Sequence, residues 1–300
     1  MARMSVQGLV NVPVEASAIA RVLDRHPDYR VLRRLPPFER RDVPALRTGV
    51  ITGVALDVET TGFHPEDDRI IELAMQRFEA DAEGRIVSAE PLVAYFEDPG
   101  IPITPEITKV TGIRAEDVKG KAIRDGEAGS ILAYADFVVS HNASFDRPFV
   151  EARLPEARDL AWACSLNDVD WRGLGFEGRT QSQLVAAIGG FYDAHRAGVD
   201  VNALLHLLDH TLHDGTTVLS HMLDRARRTT YRLDAARAPR SASEKLKARG
   251  WRWSPVRGVW SIEVEGSLKD DEIDWATIQI YAATDVPSVS EIDWRVRHAR

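Results

Sequence analysis

The chain has 300 residues, 44% of them hydrophobic and 28% charged, which excludes a disordered, collagen-like or low-complexity protein. Its 38 basic and 46 acidic residues leave a net charge of −8, which argues against a histone-like, wholly electrostatic binder of nucleic acid. Apolar runs such as 160–164 and 184–188 fall far short of the ~20 residues a membrane helix needs, and residues 1–10 lack the apolar core of a signal peptide. One cysteine, Cys164, permits no intramolecular disulfide, so a reducing, cytoplasmic setting without a membrane partner is expected.

Residues 1–47 read as an N-terminal arm, with a short helical pattern at 16–23 followed by His-Pro and Pro-Pro breaks. Strand text begins after Gly49 and runs through Glu59. Two further strands are predicted at 70–78 and 85–96, separated by the turn signal 81–84. A loop at 102–105 precedes a helix at 127–135, a strand at 137–140, a helix at 144–153 and a strand at 160–164. Helices are then predicted at 181–188, 197–212 and 216–228, with a break at Gly189-Gly190. A three-strand meander followed by alternating helix and strand indicates an α/β sheet of mixed direction. That unit spans 48–230. Residues 231–300 read as a separate small basic, Trp-rich α+β module, with a basic helix at 241–249 and a pair of short strands.

Charge is unevenly spread. Between Arg225 and Arg257 stand eleven Lys/Arg against two acids, and a smaller basic stretch runs from Arg30 to Arg47. Each reads either as a phosphate-binding surface or as solvated helix-end charge.

Three acidic constellations stand out. Asp57 and Glu59 end an apolar strand and, by its two-residue period, share one face. Two like charges there are costly without compensation, and no Lys or Arg lies between Thr48 and Pro65. A divalent cation of the Mg²⁺ or Mn²⁺ type is the economical compensation. Taken alone, an Asp-x-Glu reads more simply as a strand end with both acids in water. Asp146 lies in the first turn of a helix that follows a buried strand, where the helix dipole alone favours an acid. His195 and Asp200 stand five apart at a helix entry. With 9 His and 46 acids, chance gives about 1.4 such pairs and two occur, so order and context carry the weight rather than spacing.

Taken in order, these motifs resemble those of the DEDDh 3′→5′ exonucleases, the family that contains the proofreading epsilon subunit of bacterial DNA polymerase III. Asp57-Val-Glu59-Thr-Thr-Gly62 is similar to the first motif, His141-Asn142-Ala143-x-Phe145-Asp146 to the second, and His195-Arg196-Ala197-x-x-Asp200 to the third. Residues 101–113 also resemble the loop between the third strand and first helix of epsilon-like members. The resemblance covers 48–222 and departs at Val201-Asn202, where small or acidic residues are usual.

The resemblance implies a ribonuclease-H-like fold, a mixed five-stranded sheet flanked by helices. It implies a site for two Mg²⁺ or Mn²⁺ ions, with Asp57 bridging both, Glu59 and Asp200 completing the first and Asp146 holding the second. It makes His195 the general base, on a loop that Gly189-Gly190 and Gly198 would leave mobile. The expected activity is hydrolysis from nucleic acid 3′ ends to nucleoside 5′-monophosphates, single-stranded DNA being favoured, with a DNA polymerase as candidate partner. The alternatives are exoribonuclease or oligonucleotide trimming, and a non-catalytic polymerase-accessory binder.

Thr60, Thr61 and Gly62 are candidates to approach the terminal nucleotide through their backbone. Asn142 is a candidate for sugar or phosphate, and Phe63 or Phe145 for stacking on a base, with core packing the plainer reading of Phe145. His141 reads equally as a structural hydrogen-bonder. His206, His210 and His213 fall at i, i+4 and i+7, a zinc-like face or simple outward polarity. Cys164 reads as inert core. Trp251, Trp253 and Trp260 read either as stacking platforms for single strands or as the core of the small module, with Trp251 and Trp253 on one strand face.

Overall fold

In the computed structural model, which describes residues 13–39, 49–255 and 257–299, the arm contributes a helix, α1 (Pro13–Leu23), and a two-residue strand, β1 (Arg33–Arg34). Residues 1–12 and 40–47 of the predicted arm, with Arg40, Arg41 and Arg47, lie outside the described residues. The main sheet opens with β2 (Ile51–Thr60), antiparallel to β3 (Ile70–Ala80).

The single strand expected over 85–96 is two strands, β4 (Ile86–Ala89) and β5 (Val93–Phe96). Pro91 has no amide hydrogen to give the ladder, and the pairing breaks there. Both pieces pair with β3, β4 at Phe78–Ala80 and β5 at Glu72–Met75. The sheet therefore has six strands rather than five.

Three short helices follow: α2 (Pro105–Thr111), α3 (Ala115–Val118) and α4 (Asp125–Ala133). The first two were not anticipated. Thr104 caps α2 through its Oγ1, and Gly112 closes it with φ 71°, a conformation that favours glycine. Next come β6 (Phe137–Ser140), α5 (Ala143–Arg153) and β7 (Ala161–Cys164). The strand order is β4-β3-β2-β6-β7, with β5 also on β3, and the β2-β6 and β6-β7 pairs are parallel.

Alternation along β2 builds a layer on each face. Val54, Leu56 and Val58 pack with Leu73, Met75 and Val138 in a cluster that takes in Ala128 and Leu132 of α4 and Phe149 and Val150 of α5. Ala55 joins Ala74, Phe78 and Phe137 against three later helices, α6 (Gln181–Ala187), α7 (Ala197–Leu208) and α8 (Val218–Arg227). Gly53 is required by this packing, since a Cβ there would come within 2.7 Å of the Phe137 ring. Between α6 and α7 lies a second two-residue strand, β8 (Gly190–Phe191), whose partner is β1. α7 stops at Leu208 rather than 212, because residues 209–217 turn back through the Leu212-to-Thr216 hydrogen bond and a Thr211–Thr217 bridge.

The remaining elements are β9 (Thr230–Ala235), α9 (Ser243–Arg249), β10 (Arg252–Ser254), β11 (Val259–Glu265), α10 (Lys269–Gln279) and β12 (Ser288–Ile292). They form an antiparallel sheet of order β10-β11-β9-β12, a β-α-β-β-α-β arrangement. Leu233, Leu246, Trp251, Ala276 and Ile280 fill its core. The tryptophans part company here. Trp251 precedes β10, is 2% exposed and donates to Glu272 at 2.7 Å, whereas Trp253 lies on the strand and is 52% exposed.

Much of the basic run is neutralised inside this unit. Arg249 pairs with Glu272, Arg237 with Asp285, and Arg232 and Arg257 with Asp234, while Arg228, just before the unit at the end of α8, pairs with Asp224 of that helix.

The last described residues return to the main sheet. Trp294 stacks on Phe137 and its carbonyl accepts from the Trp162 amide at 2.9 Å, so the outer edge of β7 is covered. His298 then meets Asp168 at 2.9 Å, both side chains being buried.

Candidate active site

β2 and β3 are in register with Asp57 opposite Ala74 and Glu59 opposite Glu72, so Asp57, Glu59 and Glu72 line one face at the C-terminal end of β2. Asp200 stands in the first turn of α7, which packs on that face. Carboxylate oxygens of Asp57, Glu59 and Asp200 lie within 4.8 Å of one another. Asp146 reaches the strand from α5 and accepts from the Val58 amide at 3.1 Å while only 3% exposed. Four acids from three distant stretches of chain thus meet at the end of one strand.

Their electrostatics follow from that crowding. Burial, then the charges of Asp146, Asp200, Glu59 and Glu72, hold the Asp57 carboxyl well above the usual range. Burial and the same neighbours push Glu59 up to about 8, with Arg196 as the opposing charge. Burial also raises Asp146, against the Val58 amide, and Asp200, against the amides of His195 and Arg196. Positive charge supplied among them would favour their ionised forms. The donor set is oxygen from carboxylates alone, which suits a hard divalent cation of the Mg²⁺ or Mn²⁺ type.

His195 is exposed, with φ 72°, an uncommon conformation for a residue with a Cβ. The Asp200 carboxylate accepts from its amide at 2.9 Å and from that of Arg196 at 3.1 Å. Arg196 turns back to Glu72, donating from Nε and Nη2 at 3.0 and 2.9 Å, and the Ala197 amide adds a third bond at 3.1 Å. The Tyr192 hydroxyl donates to Asp200, whose charge, after burial, pushes the phenol pKa up. Gly190 and Gly198 are packed positions rather than hinges. A Cβ at 190 would come within 2.7 Å of Leu35, and one at 198 within 3.1 Å of Leu92.

Around the acids, Thr60 is buried and donates to the Gly62 carbonyl. Thr61 bonds Asp68 and Arg69, and a Cβ on Gly62 would overlap the Asp68 carboxylate, so this glycine is already demanded by the fold. Asn142 heads α5 with an exposed side chain that makes no capping bond. Phe145 is half-buried against Phe149, and Phe63, at its edge, is 72% exposed.

His141 is committed to structure. Its Nε2 donates to the Arg179 carbonyl, its Nδ1 accepts from Ser165, and burial lowers its pKa to about 4. The three later histidines form no metal-type cluster, and as a face they divide: His213 is exposed, whereas His206 and His210 are half-buried. The one metal-type cluster among the described residues is the acidic one, His206 bonds the Pro36 carbonyl, and His210 is half-buried against Phe176. Cys164 is fully buried, its thiol pushed to about 11.

Sequence reasoning passed over Glu72 and Tyr192. The signal for Glu72 was present as a lone acid in the apolar strand 70–75, but its relevance depends on register with β2. Tyr192 carries no such signal.

A strand-end carboxylate cluster on a mixed sheet flanked by helices defines a metal-type hydrolytic centre. Residues 54–208 match the model of the family described as Exonuclease, RNase_T, and the chain belongs to that family of nucleases. Among curated relatives, DNA polymerase III subunit epsilon of Treponema pallidum is 29% identical over 177 residues, covering 56% of this chain and 76% of that protein. Ribonuclease T of Histophilus somni is 32% identical over 112 residues, 33% of this chain and 51% of that protein. A PolC-type DNA polymerase III of Clostridium perfringens is 32% identical over 103 residues, 34% of this chain but 7% of the polymerase. The chain thus spans about half of ribonuclease T and a small part of the PolC-type enzyme. Of solved structures, an exonuclease I covers 75% of this chain and 67% of its own at 16% identity and TM-score 0.49. Exonuclease X with 5′-overhanging duplex DNA covers 56% and 99% at 21% identity and TM-score 0.40. Among the described residues no helix is long and apolar enough to cross a membrane.

Proposed function

We propose that the chain is a divalent-metal-dependent 3′→5′ exonuclease that releases nucleoside 5′-monophosphates, with single-stranded DNA as its preferred substrate. The convergence of Asp57, Glu59 and Asp200 oxygens within 4.8 Å, with Asp146 against the same strand, carries this reading. Asp57, Glu59, Asp146 and Asp200 would hold two Mg²⁺ or Mn²⁺ ions. Bound there, such ions stabilise negative charge on the attacking and leaving oxygens of a phosphodiester.

The rest falls to side chains. His195, exposed and fixed through its amide to Asp200, accepts the proton from the attacking nucleophile, a role worth roughly 10²–10⁴-fold. The exposed Asn142 side chain would bond sugar or phosphate, and Phe63, 72% exposed beside Phe145, would meet the terminal base. Residues 48–230 carry this chemistry, with the arm and residues 231–300 as attachments. Similarity to an epsilon subunit makes a DNA polymerase the first partner to test, and similarity to ribonuclease T supports RNA as the second substrate.

Side-by-side digestion of single-stranded DNA, duplex DNA, mismatched primers and RNA tests the reading. With Mg²⁺, 3′-terminal label should leave first as mononucleotide, and EDTA should stop it. First release from the 5′ end, or turnover that survives EDTA, would overturn it.

A further inference from the structure

We infer that the arm segment Arg30–Phe38 is a positioning element for the loop that carries His195; the inference rests on the reading of His195 as general base. The arm lies outside the family match, which begins at residue 54. It nonetheless grips the chain along the approach to His195. β1 is the sole strand partner of β8 among the described residues, Arg33 beside Gly190 and Arg34 beside Phe191. The Arg33 amide donates to the Gly189 carbonyl at 2.9 Å and the Leu35 amide to the Phe191 carbonyl at 3.0 Å. Arg30 donates to the carbonyls of Ala186 and Ala187 at the end of α6. Arg34 pairs with Asp193 at 2.9 Å and lies over the Phe191 ring.

The far end of the arm is tied to the helix that bears Asp200. Asn202 donates to the Pro36 carbonyl at 3.0 Å and accepts from the Phe38 amide at 2.6 Å. His206 donates to the same Pro36 carbonyl at 2.9 Å, and Gln76 donates to the Phe38 carbonyl at 2.9 Å.

Three oddities of the sequence thereby acquire one cause. Asn202 is the departure from the third motif, and it clips the arm. His206 resembles part of a metal face, and it holds the arm. Gly190 reads as a flexible break, and its missing Cβ makes room for Leu35. A left-handed His195 is a strained backbone that persists only when its surroundings hold it. The Asp200 carboxylate holds it from the C-terminal side. From the N-terminal side it is held by the arm together with Tyr192, whose hydroxyl donates to Asp200. Loss of the arm contacts frees residues 189–194 and lowers the fraction of enzyme with the imidazole in place, which acts on kcat rather than on binding.

The test uses the full-length chain with Arg34→Ala, exposed enough to spare the fold, and with Arg34→Ala/Asn202→Ala. Amide hydrogen exchange should quicken at 190, 191 and 195 while β2 stays protected, and kcat should fall about tenfold with KM nearly constant. In a His195→Ala background the same substitutions should add no further loss. Unchanged exchange at 190–195, an equal rise in KM, or an undiminished loss in the His195→Ala background would each overturn the proposal. His195→Ala at wild-type kcat would instead remove the general-base reading, and is told apart because the exchange measurement does not depend on it.

Discussion

Glu72 faces Glu59 directly across the β2–β3 ladder, yet both of its carboxylate oxygens are occupied by the Arg196 guanidinium. A fifth acid at the site is thereby neutralised, and the residue after His195 is anchored at the same time. Arg196 also opposes the raised pKa of Glu59. Arg196→Ala leaves a nearly buried carboxylate without its partner. We expect a loss of roughly 1–3 kcal/mol of stability together with a large fall in kcat, read by thermal unfolding and steady-state kinetics. A fall in melting temperature with kcat intact would separate the pair from the catalytic loop.

Asp57 is repelled by four other carboxylates. Asp57→Asn should lower turnover by about a thousandfold or more, while raising stability in EDTA by roughly 1 kcal/mol. Thermal melts in EDTA check the second part, and a destabilised variant would mean that the charge is not repelled in the fold.

The pH dependence has a definite sign. Glu59 sits at about 8 in the fold against an ordinary 4.5, so the folded chain binds its proton more tightly than the unfolded one. That contribution to stability is whole below about pH 4.5 and lost as pH rises through about 8. Metal-free protein should therefore lose melting temperature from about pH 5 to pH 8, and Mg²⁺ or Mn²⁺ should restore most at the upper end. Calorimetry across that range, with and without metal, reads both; a metal-free melting temperature that climbs would contradict the crowding argument.

The tail at 293–299 is remote in sequence from the sheet it covers. Trp294→Ala removes the stack on Phe137 and should cost about 2–3 kcal/mol, measured by denaturant unfolding of the full chain. Trp253→Ala, at a half-exposed ring, should cost under about 1 kcal/mol. Equal effects would mean that the tail does not stabilise the main sheet.

The strand tip was legible because period-2 alternation is local: Asp57 and Glu59 must share a face wherever that strand goes. The order of the three motifs was legible for the same reason, each being a short run with its own turn or helix start. The break at Pro91 was also written in the chain, yet the run 85–96 was read through it, since one proline alone does not say whether a strand ends or bends. Helix α2 was missed because its seven residues are too few for periodicity to register, although Thr104 and Gly112 mark both ends.

What the sequence by itself determined is therefore the alternating acids, the helix-entry acids and the mixed α/β order, all set by contacts between near neighbours in the chain. Register and docking decided the rest. The Glu59–Glu72 pairing, the neutralisation of Arg237 and Arg249 by acids far downstream, the grip of Asn202 on the arm and the cover of Trp294 over β7 join residues far apart in the chain. No local pattern encodes such pairs, because each depends on where two independently folded segments come to rest against a common core.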